Sequence, residues 1–370
     1  MSTNQLDRAG TAMAESDTEA LLIGPGADLR YLTGYVALPL ERLTLLVARA
    51  DGRHGLVVPR LEAQRAKDSG LPEGLELVTF EETDDPFGLV VSLLDGVDRR
   101  GRLAVGDRLW AMFVLGLQGA LPDARWTLAS DIVGPLRMRK DASEIDALRR
   151  AAQAIDRVHA QVPEILRPGR SEAEAGRDIA DLIIDEGHER VNFVIVGSGP
   201  NGASPHHETG ERVLQRGDSV VVDIGGALDG YCSDCTRNYV VGGEPAALDP
   251  EYASAHAVLE TAQRAACDAV KPGVTAAQID AVARDVLTDA GYGEAFLHRT
   301  GHGIGLEEHE DPYLVAGNDL PLEPGMAFSI EPGIYLEGRF GQRIEDIVVV
   351  TDDGVERLNT LDRGAVTTKG

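Results

Sequence analysis

Between positions 21 and 134 the hydrophobic residues fall in short β-branched or leucine-rich runs, separated by stretches with helical spacing. The runs at 21–24, 43–47, 55–59, 75–80, 103–106 and 126–130 are each of strand length. Their alternation with helical segments predicts an α/β layer domain. Residues 135–144 (PLRMRKDASE) break the pattern with a basic cluster, and Ser143 ahead of Glu144 reads as the capped start of a helix. This places a domain boundary there, with a first domain over 1–136 and a second over 142–362.

The second part repeats itself. Shifted by 104 residues, Arg167-Pro168-Gly169 falls on Lys271-Pro272-Gly273, Ser171 on Thr275, Ala173 on Ala277, Asp181 on Asp285, Asp185 on Asp289 and Gly187 on Gly291. Each copy reads as a long helix (145–166; 251–270), a Pro-Gly turn and a second helix ending at a glycine, followed by apolar strands. The repeat predicts two similar α+β halves related by a pseudo-twofold axis, with a cleft along it.

Both halves carry acidic hairpins. In the first, Ser219–Ile224, a turn GGALDG and Tyr231–Val241 fold about Leu228 and Asp229, which sets Asp223 opposite Asp234. Facing carboxylates on neighbouring strands repel unless a cation lies between them. Two solvated aspartates are the plainer reading, but Asp223 sits in VVVDIG, too apolar a run for an idle charge. In the second half a turn centred on Gly338 sets Glu331 opposite Glu345.

Histidines cluster beside these hairpins. His298, His302 and His309 lie in HRTGHGIGLEEHEDP, and the loop 199–207 adds His206 and His207. A lone histidine is more often structural, but five in two glycine-rich loops beside four carboxylates point to a site. Four carboxylates with one or two imidazoles suit two divalent ions, Mn²⁺ or Co²⁺ first and Zn²⁺ or Fe²⁺ next, better than one tetrahedral zinc. Two such ions acidify a bridging water for attack on a carbonyl.

The segments VDIG…SDCTR, HRTGHGIGLEEHE, SIEPGIY and RIED closely resemble the pita-bread metallopeptidases, and best the Xaa-Pro dipeptidases (prolidases) and Xaa-Pro aminopeptidases. The resemblance is strong over 142–352, and ADLRYLTGY at 27–35 resembles the creatinase-like N-terminal domain that accompanies them. It implies an α/β creatinase-like N-terminal domain followed by an α+β pita-bread catalytic domain with an internal pseudo-twofold repeat. It implies metal ligation by Asp223, Asp234, His302, Glu331 and Glu345, at spacings of 11, 29 and 14 residues within the motif pairs. Asp234 and Glu345 then bridge both ions, Asp223 completes one, and His302 with Glu331 completes the other. His206 and His309 correspond to histidines that contact the substrate carbonyl, and Arg343 to a residue that orients the bridging carboxylates. The implied reaction is hydrolysis of an Xaa-Pro bond in a dipeptide or short peptide by a hydroxide bridging the ions, with Glu331 as proton shuttle. A homodimer is implied as well, with Tyr31 to Tyr35 as candidates for closing the partner's site.

Three rivals stay open: an Xaa-Pro aminopeptidase acting on longer peptides, a hydrolase of small non-peptide amides, and a binding module without catalysis. The complete five-ligand pattern counts against the binding module and against creatinase itself, which lacks the full set, while metal-using hydrolases of small amides stay open.

Composition narrows the setting. With 61 acidic and 35 basic residues the formal charge is −26, which disfavours nucleic acid and anionic membrane as partners. Only Lys67, Lys140, Lys271 and Lys369 are lysine, and an acid-rich, lysine-poor surface suits a salt-rich cytoplasm. No apolar run reaches membrane-spanning length, and the polar, acidic start of the chain has no signal-peptide pattern. Three cysteines, an odd and small number, fit a reducing compartment. The pair Cys232–Cys235 has no second pair nearby to complete a zinc site.

Overall fold

The computed structural model describes residues 2–243 and 249–369, and the chain divides into two compact units, Met1–Arg137 and Met138–Gly370. The first holds helices α1 (Ser2–Glu15), α2 (Ala27–Thr33), α3 (Ala63–Asp68), α4 (Pro86–Leu93), α5 (Ala111–Ala120) and α6 (Ser130–Met138), whose last turn crosses the division. Its strands are β1 (Thr18–Ile23), β2 (Leu45–Arg49), β3 (His54–Pro59), β4 (Leu75–Phe80), β5 (Arg102–Val105) and β6 (Arg125–Leu128), each on one of the predicted runs. They form one sheet in the order β4-β3-β2-β1-β5-β6, packed against helices through Leu22, Val47, Val57, Phe113 and Leu117. Tyr31 and Tyr35 are buried in this unit, and the Tyr31 hydroxyl donates to the Leu136 carbonyl at 3.1 Å.

The second unit shows the repeat. Helices α7 (Ala142–Ile165) and α8 (Glu172–Asp185) precede β7 (Arg190–Ser198), β8 (Ser219–Leu228) and β9 (Tyr231–Val240). Helices α9 (Tyr252–Ala269) and α10 (Ala276–Asp289) precede β10 (Gly301–Gly303), β11 (Glu310–Leu314), β12 (Ala327–Ile330), β13 (Gly333–Leu336), β14 (Phe340–Arg343) and β15 (Asp346–Val350). Strands β16 (Val355–Arg357) and β17 (Val366–Thr367) follow. The matched residues Ser171 and Thr275 both cap their helices in reciprocal capping boxes, with Glu174 and Gln278 as third-position partners. The α7 cap is Asp141, whose carboxylate accepts from the N–H groups of Ser143 and Glu144. The expected cap, Ser143, is the second residue of the helix, because Asp141 stands three residues ahead of Glu144 and takes the box. Two sheets result, β17-β9-β8-β7 and β11-β10-β12-β15-β16, with β13-β14 as a separate ribbon.

The hairpin of the first half differs from expectation by two residues. Strand β8 continues through Gly225 and Gly226 to Leu228, and only Asp229 (φ 52°) and Gly230 (φ 84°) form the turn. Both turn residues are left-handed, as a two-residue type I′ turn requires. The upstream glycines serve packing: a Cβ on Gly225 would stand 2.6 Å from the Phe193 ring and 2.6 Å from the Ser233 carbonyl oxygen. Asp223 therefore pairs with Thr236, and Asp234 with Gly225. A slip of two residues keeps both aspartates on one face, so they meet diagonally rather than directly.

The second hairpin keeps the expected register about Gly338, from Leu336–Phe340 out to Ala327–Val349. The ladder is interrupted where Glu331 and Glu345 stand. There the Glu331 N–H donates to Thr300 O (2.8 Å) and the Glu345 N–H to Thr236 O (3.3 Å), tying each glutamate to a neighbouring segment.

Candidate metal centre

Asp223 comes from the middle of β8, Asp234 from β9, His302 from β10, Glu331 from just after β12 and Glu345 from just before β15. All five are buried or nearly so, with Glu331 the most accessible. Their ligand atoms fall into overlapping sets within 4.8 Å: Asp223, Asp234 and Glu345 in one, His302, Glu331 and Glu345 in another. A third set joins Asp234 and His302 with His309.

Electrostatics say what this arrangement lacks. Burial, reinforced by the neighbouring carboxylates, holds Asp234 and Glu345 well above the ordinary carboxylate range. Burial pushes Glu331 up to about 7 against the pull of Arg343. Asp223 Oδ1, Asp234 Oδ1 and Glu345 Oε1 are buried with no hydrogen-bond partner among the described residues. Such oxygens are costly unless a cation takes the donor's place, so the donor set fits divalent ions. Burial and the adjacent His309 ring push His302 down to about 3, which keeps its imidazole neutral at pH 7. With Nδ1 placed to donate to the Gly303 carbonyl at 3.1 Å, Nε2 presents its lone pair toward Glu331 Oε1 (3.2 Å) and Asp234 Oδ2 (3.7 Å).

Arg343 braces the carboxylates from behind. Its Nη2 donates to Asp223 Oδ2, and its Nε to Thr236 Oγ1 at 3.0 Å. The Thr236 hydroxyl in turn donates to Glu345 Oε2 at 2.7 Å. Arg343 thus acts directly on Asp223 and reaches Glu345 through a threonine. Beneath it, Arg237 on β9 is fully buried with all five N–H groups engaged, on Asp346 and on the carbonyls of Thr236, Glu345, Leu361 and Asp362.

The carboxylates form the floor of a cavity of about 490 Å³. His206 and His309 line its walls, as do Phe193 and Ile195 from β7. Burial and Arg299 lower the pKa of His309, whose ring packs edge-on against His302 with centroids 4.1 Å apart. His207, in contrast, turns to Glu172 (2.8 Å). The structure adds residues that received no role from the sequence. His298 lines the cavity and bonds the Tyr335 hydroxyl at 2.8 Å, which also accepts from Arg343. Arg299 lines it with its guanidinium 4.4 Å from the Tyr313 ring centroid. Spacing alone could have flagged two of these, since His298 precedes His302 by four residues and Tyr335 follows Glu331 by four. Cys232 and Cys235 sit three apart on a strand and so face opposite sides, in different cores.

The model of metallopeptidase family M24 matches residues 146–352, and that of the creatinase/prolidase N-terminal domain matches 5–139. The chain belongs to metallopeptidase family M24. The M24 chain is therefore a metallopeptidase with a pita-bread catalytic domain preceded by a creatinase-like domain. It is 54% identical to the probable dipeptidase PepE of Mycobacterium tuberculosis over 360 residues, covering 96% of this chain and 93% of that one. It is 36% identical to the Xaa-Pro dipeptidase of Lactobacillus delbrueckii subsp. lactis over 354 residues, covering 94% and 95%. The prolidase structure from Thermococcus sibiricus superposes with a TM-score of 0.92 at 34% identity, covering 99% of each chain.

Proposed function

We propose that this M24 chain is an Xaa-Pro dipeptidase in which Asp223, Asp234, His302, Glu331 and Glu345 hold two divalent ions. The observation that carries this reading is the buried, donor-starved carboxylate cluster at the floor of the cavity. An oxygen-rich set with one imidazole favours Mn²⁺ or Co²⁺, with Zn²⁺ or Fe²⁺ as alternatives. When bound, the ions supply Lewis acidity toward the scissile carbonyl and a nucleophile at neutral pH.

The remaining steps belong to side chains. Glu331, at the edge of the carboxylate cluster and lining the cavity, accepts the proton given up as the carbonyl is attacked and delivers it to the leaving nitrogen. Proline's nitrogen carries no hydrogen in the peptide, so it leaves only once protonated. His309 and His206 stand on the cavity wall to donate hydrogen bonds to the oxygen that gains charge. Arg343 keeps Asp223 and, through Thr236, Glu345 in fixed orientations.

Dipeptides are favoured over longer peptides because Arg299 lines the cavity with no described carboxylate within ion-pair distance, ready for the free carboxylate of a two-residue substrate. The relatives named as dipeptidases support the same choice. The test compares Xaa-Pro dipeptides with Xaa-Pro tripeptides and Xaa-Pro amides on the metal-loaded protein. Preference for the dipeptide by more than about tenfold is expected; cleavage of the tripeptide alone makes the chain an Xaa-Pro aminopeptidase. Three buried free thiols and the acid surplus support a reducing, salt-rich cytoplasm as its setting. No helix among the described residues is long and apolar enough to cross a membrane.

A further inference from the structure

Glu172 opens α8 and is fully buried. Its carboxylate is surrounded by donors from one loop. Oε1 accepts from the Ser198 N–H (2.8 Å), Ser198 Oγ (2.6 Å) and Asn201 Nδ2 (3.1 Å). Oε2 accepts from His207 Nε2 (2.8 Å), Asn201 Nδ2 (3.2 Å) and the Gly210 N–H (3.4 Å). These bonds span 198–210, the loop that presents His206 to the cavity. His206 itself is exposed and makes no hydrogen bond to the described residues, so its place is set by its neighbours. The far side of the loop is fixed by contact, since a Cβ on Gly202 would lie 3.3 Å from the Gly341 nitrogen of β14.

The internal repeat separates what the fold needs here from what Glu172 adds. In the first half the N–H groups of Gly169, Glu172 and Ala173 donate to the carbonyls of Leu214, Arg212 and Gly210 at 2.9, 2.9 and 2.8 Å. In the second half Gly273, Ala276 and Ala277 donate to Leu322, Leu320 and Asn318 at 2.8, 3.0 and 2.9 Å. The same junction is therefore built with a fully buried Ala276 in the place of Glu172. A buried carboxylate is costly to keep, and nothing in the backbone pattern requires one. The second half instead carries Asp280 one turn further along α10, where it accepts from the N–H (3.1 Å) and hydroxyl (2.8 Å) of Thr300. Thr300 lies between His298 and His302. Each half places a buried carboxylate under its own histidine loop, at positions the repeat does not relate.

We propose that Glu172 is a positioning residue that acts through His206: by gathering Ser198, Asn201, His207 and Gly210 it holds the loop so that His206 meets the substrate carbonyl. The proposal rests on the reading of His206 given under the proposed function. Catalytic groups need placement to within about 0.5 Å, and an exposed imidazole on an irregular loop gets it only from supporting bonds.

The experiment is a double-mutant cycle on metal-saturated enzyme with an Xaa-Pro dipeptide, using Glu172→Gln, His206→Ala and the pair. Glu172→Gln is expected to lower kcat by about tenfold or more, shift KM by less than about threefold, and leave bound metal per chain unchanged. In the His206→Ala background the same change is expected to cost less than about twofold. An equal loss in both backgrounds overturns the inference while leaving the role of His206 standing, and so does loss of metal by Glu172→Gln. Wild-type turnover by His206→Ala overturns both. His207→Ala leaves the carboxylate in place and removes one of its donors from the loop side; it runs the same cycle, and additivity there counts equally against the proposal.

Discussion

Replacing Arg237 by alanine tests how far the proposed metal-binding floor depends on the layer beneath it. The residue is 1% exposed, and its side-chain bonds run to Asp346 Oδ1 (2.6 Å), Glu345 O (2.6 Å), Thr236 O (3.0 Å), Leu361 O (3.1 Å) and Asp362 O (2.9 Å). Breaking a buried ion pair from one side costs about 3–5 kcal/mol. Asp346 keeps Arg363 at 2.9 Å and Arg357 at 3.2 Å, which moderates the charge penalty. Four carbonyls lose a donor at about 1 kcal/mol each, which offsets that moderation. A loss of about 4 kcal/mol is expected. Because Arg237 grips the Glu345 and Thr236 carbonyls, Mn²⁺ affinity is expected to fall by about 10–100-fold as well. Urea unfolding of metal-free protein, followed by near-ultraviolet tyrosine dichroism, measures the first quantity and calorimetric Mn²⁺ titration the second. Tryptophan emission is the wrong probe, since Trp110 and Trp126 both lie in the first unit. Arg237→Lys keeps the charge but not the five-donor fork, and should fall between. A loss below about 1 kcal/mol with unchanged metal affinity refutes the reasoning.

Glu331→Gln removes the proton carrier and should lower kcat by about 10²–10⁴-fold, read by proline release, and normal turnover with metal bound contradicts that role. Metal-free protein should lose stability as pH rises from about 4.5 to 7. Glu331 is raised to about 7 in the fold, so the folded state holds the extra proton in that window and its advantage disappears as that proton leaves. Thermal melts at pH 5 and pH 8 should show this loss without metal, and its disappearance with Mn²⁺. Melting temperature should rise between 0.1 and 3 M KCl, because the charge of −26 is screened, and a flat response removes the saline reading.

Much of this architecture was legible because its determinants are local. The six strands of the first unit carry their own apolar runs, and the repeat was visible because its turns and caps need the same residues twice. The pairing of the hairpin at Asp229 is shifted by two residues because Gly225 and Gly226 mimic a turn, when Gly225 is there to admit Phe193 and the Ser233 carbonyl and Gly226 to admit His188 and the Arg190 carbonyl. The slip preserved the face, which is why Asp223 and Asp234 still converge. Contacts that depend on distant packing left no trace in the pattern. Arg237 meets Asp346 across 109 residues, and Arg343 meets Asp223 across 120. Glu172 looked like one more acid at a helix start, and only the loop folded over it gives its carboxylate a task.

The central claim, two ions in the five-ligand floor cleaving Xaa-Pro dipeptides, is tested most directly by one titration. Protein stripped with chelator is given increasing Mn²⁺, and proline release from Ala-Pro is followed against bound metal per chain. Release should be absent in the stripped protein and level off near two ions per chain. Full loading with no proline released from Ala-Pro contradicts the account.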